Sequence, residues 1–253
     1  MQSKVLSVFA CCYVLVFVLQ GRKITQWKNK IFYGAKNASK GEFPWQVSIQ
    51  HSFDGFVWSQ WCGGSIISND FIITIGSCAA STSTSLRVVA GTLEWARPRS
   101  THRVTKFIDS GDSFLSLWQV DPPFEFGPDT QAVQLPAQST ESQAGTLMTS
   151  SGWGDSTQGV ASKFLMKFDS RIVSKADCDS IYSRFGGIGQ NQICVGLPYI
   201  GVGLCSSADD GSPLVYNGEL RGVFFYAGKR DADLGIYYEV SAFRNWIYQS
   251  IGF

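Results

Sequence analysis

An all-β fold is what the sequence predicts, and three observations predict it. Glycine is abundant, at 26 residues, and aromatic side chains make up 14% of the chain. Short stretches that alternate polar and apolar residues recur between turn-forming residues, the pattern of half-buried strands. The chain has 253 residues, 44% hydrophobic and 16% charged, enough to bury a large core in one or two units. Its net charge is +1, without a long run of one sign. That leaves no electrostatic footprint for nucleic acid or an anionic membrane surface. Neither nucleic acid nor membrane is therefore expected as a partner, and no metal or other cofactor is expected.

Taken in order, the chain opens with Lys4 and an apolar run from Val5 to Leu19 broken by Ser7. At about 15 residues the run is short of the roughly 20 that span a bilayer. It reads as a secretory signal peptide over residues 1–21, cut near Gly21. Residues 22–30 are polar and basic, end in Asn29-Lys30, and read as a propeptide. Val47–Gln50 and Val57–Trp61 read as strands around a turn at Asp54-Gly55. Asn69-Asp70 turns the chain into the strand Phe71–Ile75. Leu86–Ala90 and Arg103–Ile108 read as further strands. Pro122, Pro123, Gly127 and Pro128 mark a linker between two β halves. A short helix is expected around Ala176–Arg184 and a strand over Glu219–Tyr226. Ser241 has the chemistry of an N-cap. Phe243, Trp246, Ile247 and Ile251 follow at helical spacing and give a terminal helix one apolar face.

Cys11 and Cys12 leave with the signal, so the secreted part keeps Cys62, Cys78, Cys178, Cys194 and Cys205. An oxidising compartment favours disulfides, and five cysteines leave one over. Asn37-Ala38-Ser39 is a glycosylation acceptor for a chain on the secretory route.

Several motifs carry a family resemblance. Ile31-Phe32-Tyr33-Gly34 and then Pro44-Trp45-Gln46-Val47-Ser48 are similar to a mature start of the form I-V-G-G followed by P-W-Q-V-S. Cys62-Gly63-Gly64-Ser65-Ile66 is similar to C-G-G-S-L, and Ser151-Gly152-Trp153-Gly154 to S-G-W-G. The stretch Cys205-Ser206-Ser207-Ala208-Asp209-Asp210-Gly211-Ser212-Pro213-Leu214-Val215 resembles C-x-G-D-S-G-G-P-L-V. In this order the motifs resemble the trypsin- and chymotrypsin-like serine proteases over residues 31–253. The resemblance implies two six-stranded antiparallel β-barrels followed by a C-terminal helix. It implies bridges Cys62–Cys78 and Cys178–Cys194, with Cys205 left unpaired because 227–235 holds no cysteine. It also implies cleavage between Lys30 and Ile31, with the new amine pairing with Asp209.

The same resemblance shows the chemistry altered. Asp210 stands where the attacking serine belongs, and Ser77 where the catalytic histidine belongs. Asp112 is the match to the orienting aspartate, with Asp109 as competitor. Ala208 replaces the glycine whose N–H helps to form the oxyanion hole. A carboxylate has no hydroxyl proton to hand to a base, and its charge opposes a developing oxyanion. In a related triad, loss of nucleophile or base alone costs about a million-fold in turnover. His51 and His102, the two histidines, read as surface or turn residues away from the cleft. The specificity pocket departs as well, with Gly203 where an acid often sits. Phe225-Tyr226-Ala227 replaces S-W-G on the strand that lines the cleft, adding bulk.

The expectation is a secreted protease homologue without peptidase activity, acting by protein binding. The alternatives are an endopeptidase with non-standard catalytic residues and an inert secreted protein. Ile172-Val173-Ser174-Lys175-Ala176-Asp177-Cys178 resembles the trypsin-like gut allergens of mites. Beside these stands a group of inactivated paralogues, so a host complement component is implied as the partner.

Overall fold

The computed structural model describes residues 35–79, 85–111, 114–154, 161–196, 209–227 and 234–252. The expected signal peptide and propeptide, Lys30, Ile31, Asp112, Gly203, Cys205 and Ala208 lie outside them. The first described strand, β1 (Lys36–Asn37), is short and exposed. The next, β2 (Gln46–Ser52), shows how alternation builds the fold. Val47 and Ile49 point to one face and are fully buried. Gln46, Ser48 and Gln50 point to the other and are buried as well, so their polar atoms must find partners. Gln50 Nε2 donates to Ser48 Oγ at 3.0 Å and to the Trp95 carbonyl at 2.7 Å. Gln46 Oε1 accepts from Ser151 Oγ at 2.7 Å.

From β2 the chain continues through β3 (Ser59–Ile66), β4 (Phe71–Ile75), β5 (Ser85–Ala90), β6 (Ser100–Asp109) and β7 (Leu115–Asp121). These six pair antiparallel in the order β2-β3-β4-β7-β6-β5 and close into a barrel. Closure removes the open edges that would otherwise invite association. The second barrel is made of β8 (Leu147–Gly152), β9 (Met166–Val173), β10 (Gln192–Gly196), β11 (Pro213–Tyr216), β12 (Glu219–Ala227) and β13 (Gly235–Glu239). Its order is β9-β10-β13-β12-β11-β8, closed by β8 on β9, with β1 added alongside β9. The expected pair of six-stranded barrels is therefore present.

Residues 122–146 join the barrels, and the seam is bonded along its length. Val133 N donates to Ile66 O at 2.9 Å, and Leu220 N to Gln134 O at 2.8 Å. The largest apolar cluster does not stop at the first barrel. It runs from Ile72, Ile73, Leu117 and Trp118 through Val215 and Val223 to Phe243 and Ile247. This cluster thus joins the first barrel, one side of the second and the terminal helix α2 (Val240–Ile251), while Met148, Phe168, Leu214 and Phe224 form a separate cluster inside the second barrel. Phe243 and Ile247 of that helix are buried, and Trp246 and Ile251 pack beside them, as the helical spacing predicts.

The helix start differs from expectation. Its N-cap is Glu239, without a side-chain capping bond, and Ser241 lies inside the first turn, buried. The physical reason is Val240. Fully buried directly after β13, it enters the core as the first helical residue and carries Ser241 past the cap position. The other helix, α1 (Lys175–Ile181), is capped as its sequence allows. Ser174 Oγ accepts from Asp177 N, and a 3-10 turn follows at Ser183–Phe185. Both expected disulfides are formed, Cys62–Cys78 and Cys178–Cys194. Each closes a loop with a sequence separation of 16, for which chain entropy gives about 3 kcal/mol.

Candidate functional site

The site is built around the turn that leads into β11. Asp209 is fully buried, and Gly154 N donates to its Oδ1 at 2.7 Å. A Cβ on Gly154 would lie 1.8 Å from Asp209 Oδ2, and one on Gly152 would lie 2.2 Å from Oδ1. The glycines of Ser151-Gly152-Trp153-Gly154 are thus required by the carboxylate that packs on them. Two residues on, Gly211 has φ +83, and a Cβ there would meet Thr74 Oγ1 at 2.0 Å and the Gly63 carbonyl oxygen at 2.5 Å. Only glycine meets both demands. Gly63 N donates to Asp210 O at 2.8 Å, and Thr74 Oγ1 donates to Gly63 O at 2.9 Å. Strands β3 and β4 of the first barrel therefore hold the turn of the second.

Between these fixed points sits Asp210. Its Oδ1 is buried without a hydrogen-bond partner. Burial, reinforced by the charge of Asp209 beside it, pushes the Asp210 carboxyl up to about 8. Near neutral pH the group is mostly protonated. Withholding charge in this way is the usual response of a carboxyl that has no partner inside a protein. Ser77 lies on the 3-10 turn Gly76–Ala79 at the end of β4, exposed to solvent. Its neighbour Cys78 is fully buried in the bridge to Cys62, and the Cys78 carbonyl accepts from Trp61 Nε1 at 3.1 Å.

Neither imidazole serves this turn. The His51 ring lies in contact with Trp61, centroids 4.9 Å apart, and with Phe53 at 5.3 Å. Burial holds its pKa below the usual histidine value. His102 corrects the expectation of a surface or turn residue, since it is buried within β6. Its Nδ1 is bonded with the Pro122 carbonyl at 2.5 Å and its Nε2 with Ser100 Oγ at 2.8 Å, while the ring packs on Phe124. Desolvation lowers its pKa, against a smaller opposing effect from Pro122. It anchors the start of the inter-barrel linker.

Phe225 and Tyr226 of β12 form part of an aromatic stack. Phe225 and Tyr226 are 39% and 38% exposed, neither open nor turned fully into the core, and Ala227 is half-buried. Phe225 packs on Tyr238 with centroids 4.9 Å apart, and Tyr238 stacks on Phe114 at 4.9 Å with rings 13° from parallel. Phe114 was not among the predicted site residues. The pairing of Ile75 with Leu115 sets it beside Gly76, whose N–H donates to the Phe114 carbonyl at 3.3 Å. It therefore flanks the turn that carries Ser77. The competitor Asp109 is exposed at the end of β6.

Asn37, the glycosylation acceptor, is exposed on β1. Among the described residues, no cluster of three His, Cys, Asp or Glu could hold a metal ion. Nor is any described helix long and apolar enough to cross a membrane.

Comparison with known proteins bears on the family. Residues 32–247 match the family model described as Trypsin. The chain is 32% identical to Trypsin iota of Drosophila melanogaster over 92% of its own length and 94% of that protein's. It is 30% identical to Trypsin Blo t 3 of Blomia tropicalis, over 83% of this chain and 82% of the relative. With Trypsin 5G1 of Aedes aegypti it shares 29% identity, over 83% and 81% of the two lengths.

Proposed function

The chain belongs to the trypsin family of serine proteases, and we propose that within it this protein is a secreted homologue without peptidase activity that acts by binding another protein. The observation that carries the proposal is Asp210. By the sequence resemblance, a half-buried, largely protonated carboxyl with one buried, unpartnered oxygen takes the position of the attacking hydroxyl. A neutral carboxyl is a poor nucleophile, and ionising it would place negative charge where an oxyanion must develop. The companion position, Ser77, offers a hydroxyl with a pKa far too high to act as a general base near neutrality. Both defects act on the same step, so neither compensates the other.

The reading also draws on the signal-like N-terminus and on the exposed acceptor Asn37. Cleavage at Lys30–Ile31 and a buried amine on Asp209 are proposed with it, as is an unpaired Cys205. The likeness of residues 172–178 to mite trypsin-like allergens makes a host complement component the first partner to try. The names of the relatives favour a second reading, in which non-standard residues hydrolyse peptides.

Purified secreted protein should give no turnover above buffer across a fluorogenic peptide panel and no labelling by a serine-directed phosphonate. Clean hydrolysis that disappears on Asp210→Ala would overturn the proposal in favour of the second reading.

A further inference from the structure

Where the barrels meet the linker, a recess of about 250 Å³ opens that the turn around Asp210 does not use. Phe43, Leu93 and Leu165 give it an apolar floor, and Lys40, Glu94, Arg97 and Asp129 bring charge to it. The charges fall into two sets of three. Asp129 pairs with Lys40 at 3.4 Å and also with Arg99. Glu94 pairs with Arg97 at 3.5 Å and with Lys163 at 3.5 Å. Four cations on two carboxylates leave a surplus of two positive charges. Glu42, next to Phe43 in the chain, is bonded to Lys167, and that pair is neutral.

Depth sets the sign of the surface. The Asp129 and Glu94 side chains are 9% and 21% exposed, whereas their four cations are between 57% and 75% exposed. The carboxylates are sunken, and an approaching molecule meets the cations first. A net charge of +1 for the whole chain conceals this concentration. The recess is also preformed. Leu165 N donates to Leu93 O at 2.8 Å, and Trp95 Nε1 donates to Ser162 O at 3.0 Å. Thr92 Oγ1 donates to the Glu94 carbonyl at 3.0 Å and to the Arg97 carbonyl at 2.9 Å. A wall held in this way needs little ordering when a ligand arrives.

We infer that this recess docks an acidic segment of a partner protein, with one large apolar side chain entering it and flanking aspartates or glutamates meeting the surplus cations. The volume is below the roughly 300–1,000 Å³ of a small-molecule site and suits a single side chain. An apolar anchor in a pocket with complementary charge around it is how protein segments combine affinity with selection. A sulfated polysaccharide supplies the charge but has no apolar side chain for the floor of Phe43, Leu93 and Leu165. A nucleic acid is disfavoured because a surplus of two falls short of the roughly 6–10 phosphate contacts of strong binding. The inference rests on the proposed protein binding for the nature of the partner, and not on the state of Asp210.

The probe is a fluorescein-labelled peptide with one phenylalanine between two pairs of glutamates, titrated by anisotropy against protein purified from the medium of a secretory host. Wild type should bind it, and a tenfold rise in salt should weaken binding by about fivefold. Lys40→Ser/Arg97→Ser removes the surplus and leaves each carboxylate one cation. Its circular dichroism and melting temperature should stay at wild-type values while peptide binding falls about tenfold. Serine in place of the probe's phenylalanine should cost about fivefold. The inference fails if wild type does not bind the probe, if the double variant binds it equally, or if a probe with lysine in place of glutamate binds as well. Binding of a heparin fragment that the double variant loses, with no dependence on the probe's phenylalanine, would overturn it in favour of a polysaccharide. A protein partner captured equally by the double variant would overturn it and leave protein binding standing, and the fluorogenic panel tests the lack of peptidase activity separately.

Discussion

The backbone of the Asp209–Ser212 turn and the side chains at positions 210 and 77 lie within one small region, yet they answer to different constraints. The backbone is fixed on every side. Gly154 N is bonded to Asp209, Gly63 N to Asp210 O, Gly211 N to Phe224 O, and Thr74 presses on Gly211 where a Cβ would be. Asp210 Oδ1, in contrast, has no partner, and Ser77 is exposed. The contrast teaches that this barrel pair is specified by close backbone approaches and buried apolar side chains. The side chains at positions 210 and 77 contribute little to that specification, so they can vary while the fold stands.

The sharpest way to break the contrast is to attack the frame. Gly211→Ala demands a β-carbon 2.0 Å from Thr74 Oγ1 and 2.5 Å from a backbone oxygen, on a residue at φ +83. Left-handed strain and a backbone clash add, and the backbone oxygen cannot move aside as a flexible side chain would. A loss of about 4 kcal/mol or more is expected, at the exceptional end for single substitutions. Urea denaturation followed by tryptophan fluorescence measures it. A loss below about 1 kcal/mol would mean that the turn is not held as described.

Much of this frame was legible in the sequence because the residues that make it are irreplaceable. Gly63, Gly152, Gly154 and Gly211 each sit where a Cβ would collide, so the motifs that contain them carry the fold. The strands followed from alternation, and the face of α2 from helical spacing. What was not legible depended on tertiary context. Ser241 has cap chemistry, but the burial of Val240 shifts the helix start by two residues. His102 is polar and sits among polar neighbours in sequence, and only the Pro122 carbonyl bonded to its ring and Phe124 packed on it reveal a buried ring. Phe114 takes its place from stacking on Tyr238, a residue more than a hundred positions away that no local pattern brings beside it. The state of Asp210 could not be read at all, since burial and the adjacency of Asp209 set it.

A smaller effect, dependent on pH, probes the side chain at position 210 itself. The Asp210 carboxyl has a folded pKa raised from 3.8 to about 8. Between those values the folded protein holds a proton that the unfolded chain has released. Stability therefore falls as pH rises from about 4 to about 8, and levels off once both states are ionised. Asp210→Asn removes this slope. The variant should gain on wild type progressively across that window, reaching on the order of a few kcal/mol at pH 8. Any fixed cost of the amide shifts the whole curve without changing its slope. Denaturation midpoints at pH 4.5, 6 and 8 check this, and parallel curves for the two proteins would place Asp210 in contact with water or with an unseen donor.

The smallest effect is expected at Ser77, where the contrast predicts almost none. The side chain is exposed on a short 3-10 turn, and the neighbouring atoms that hold the turn belong to Cys78 and to Gly76 N, bonded to Phe114 O. Ser77→Ala should change stability by no more than about 0.5 kcal/mol, a shift of about 1–2 °C in melting temperature for a chain of this size. Ser77→His should behave alike, because a larger exposed side chain meets water rather than the core. A melting shift of several degrees in either variant would show the hydroxyl engaged in holding the turn. In that case the two regions would not be separable, and position 77 would belong to the frame.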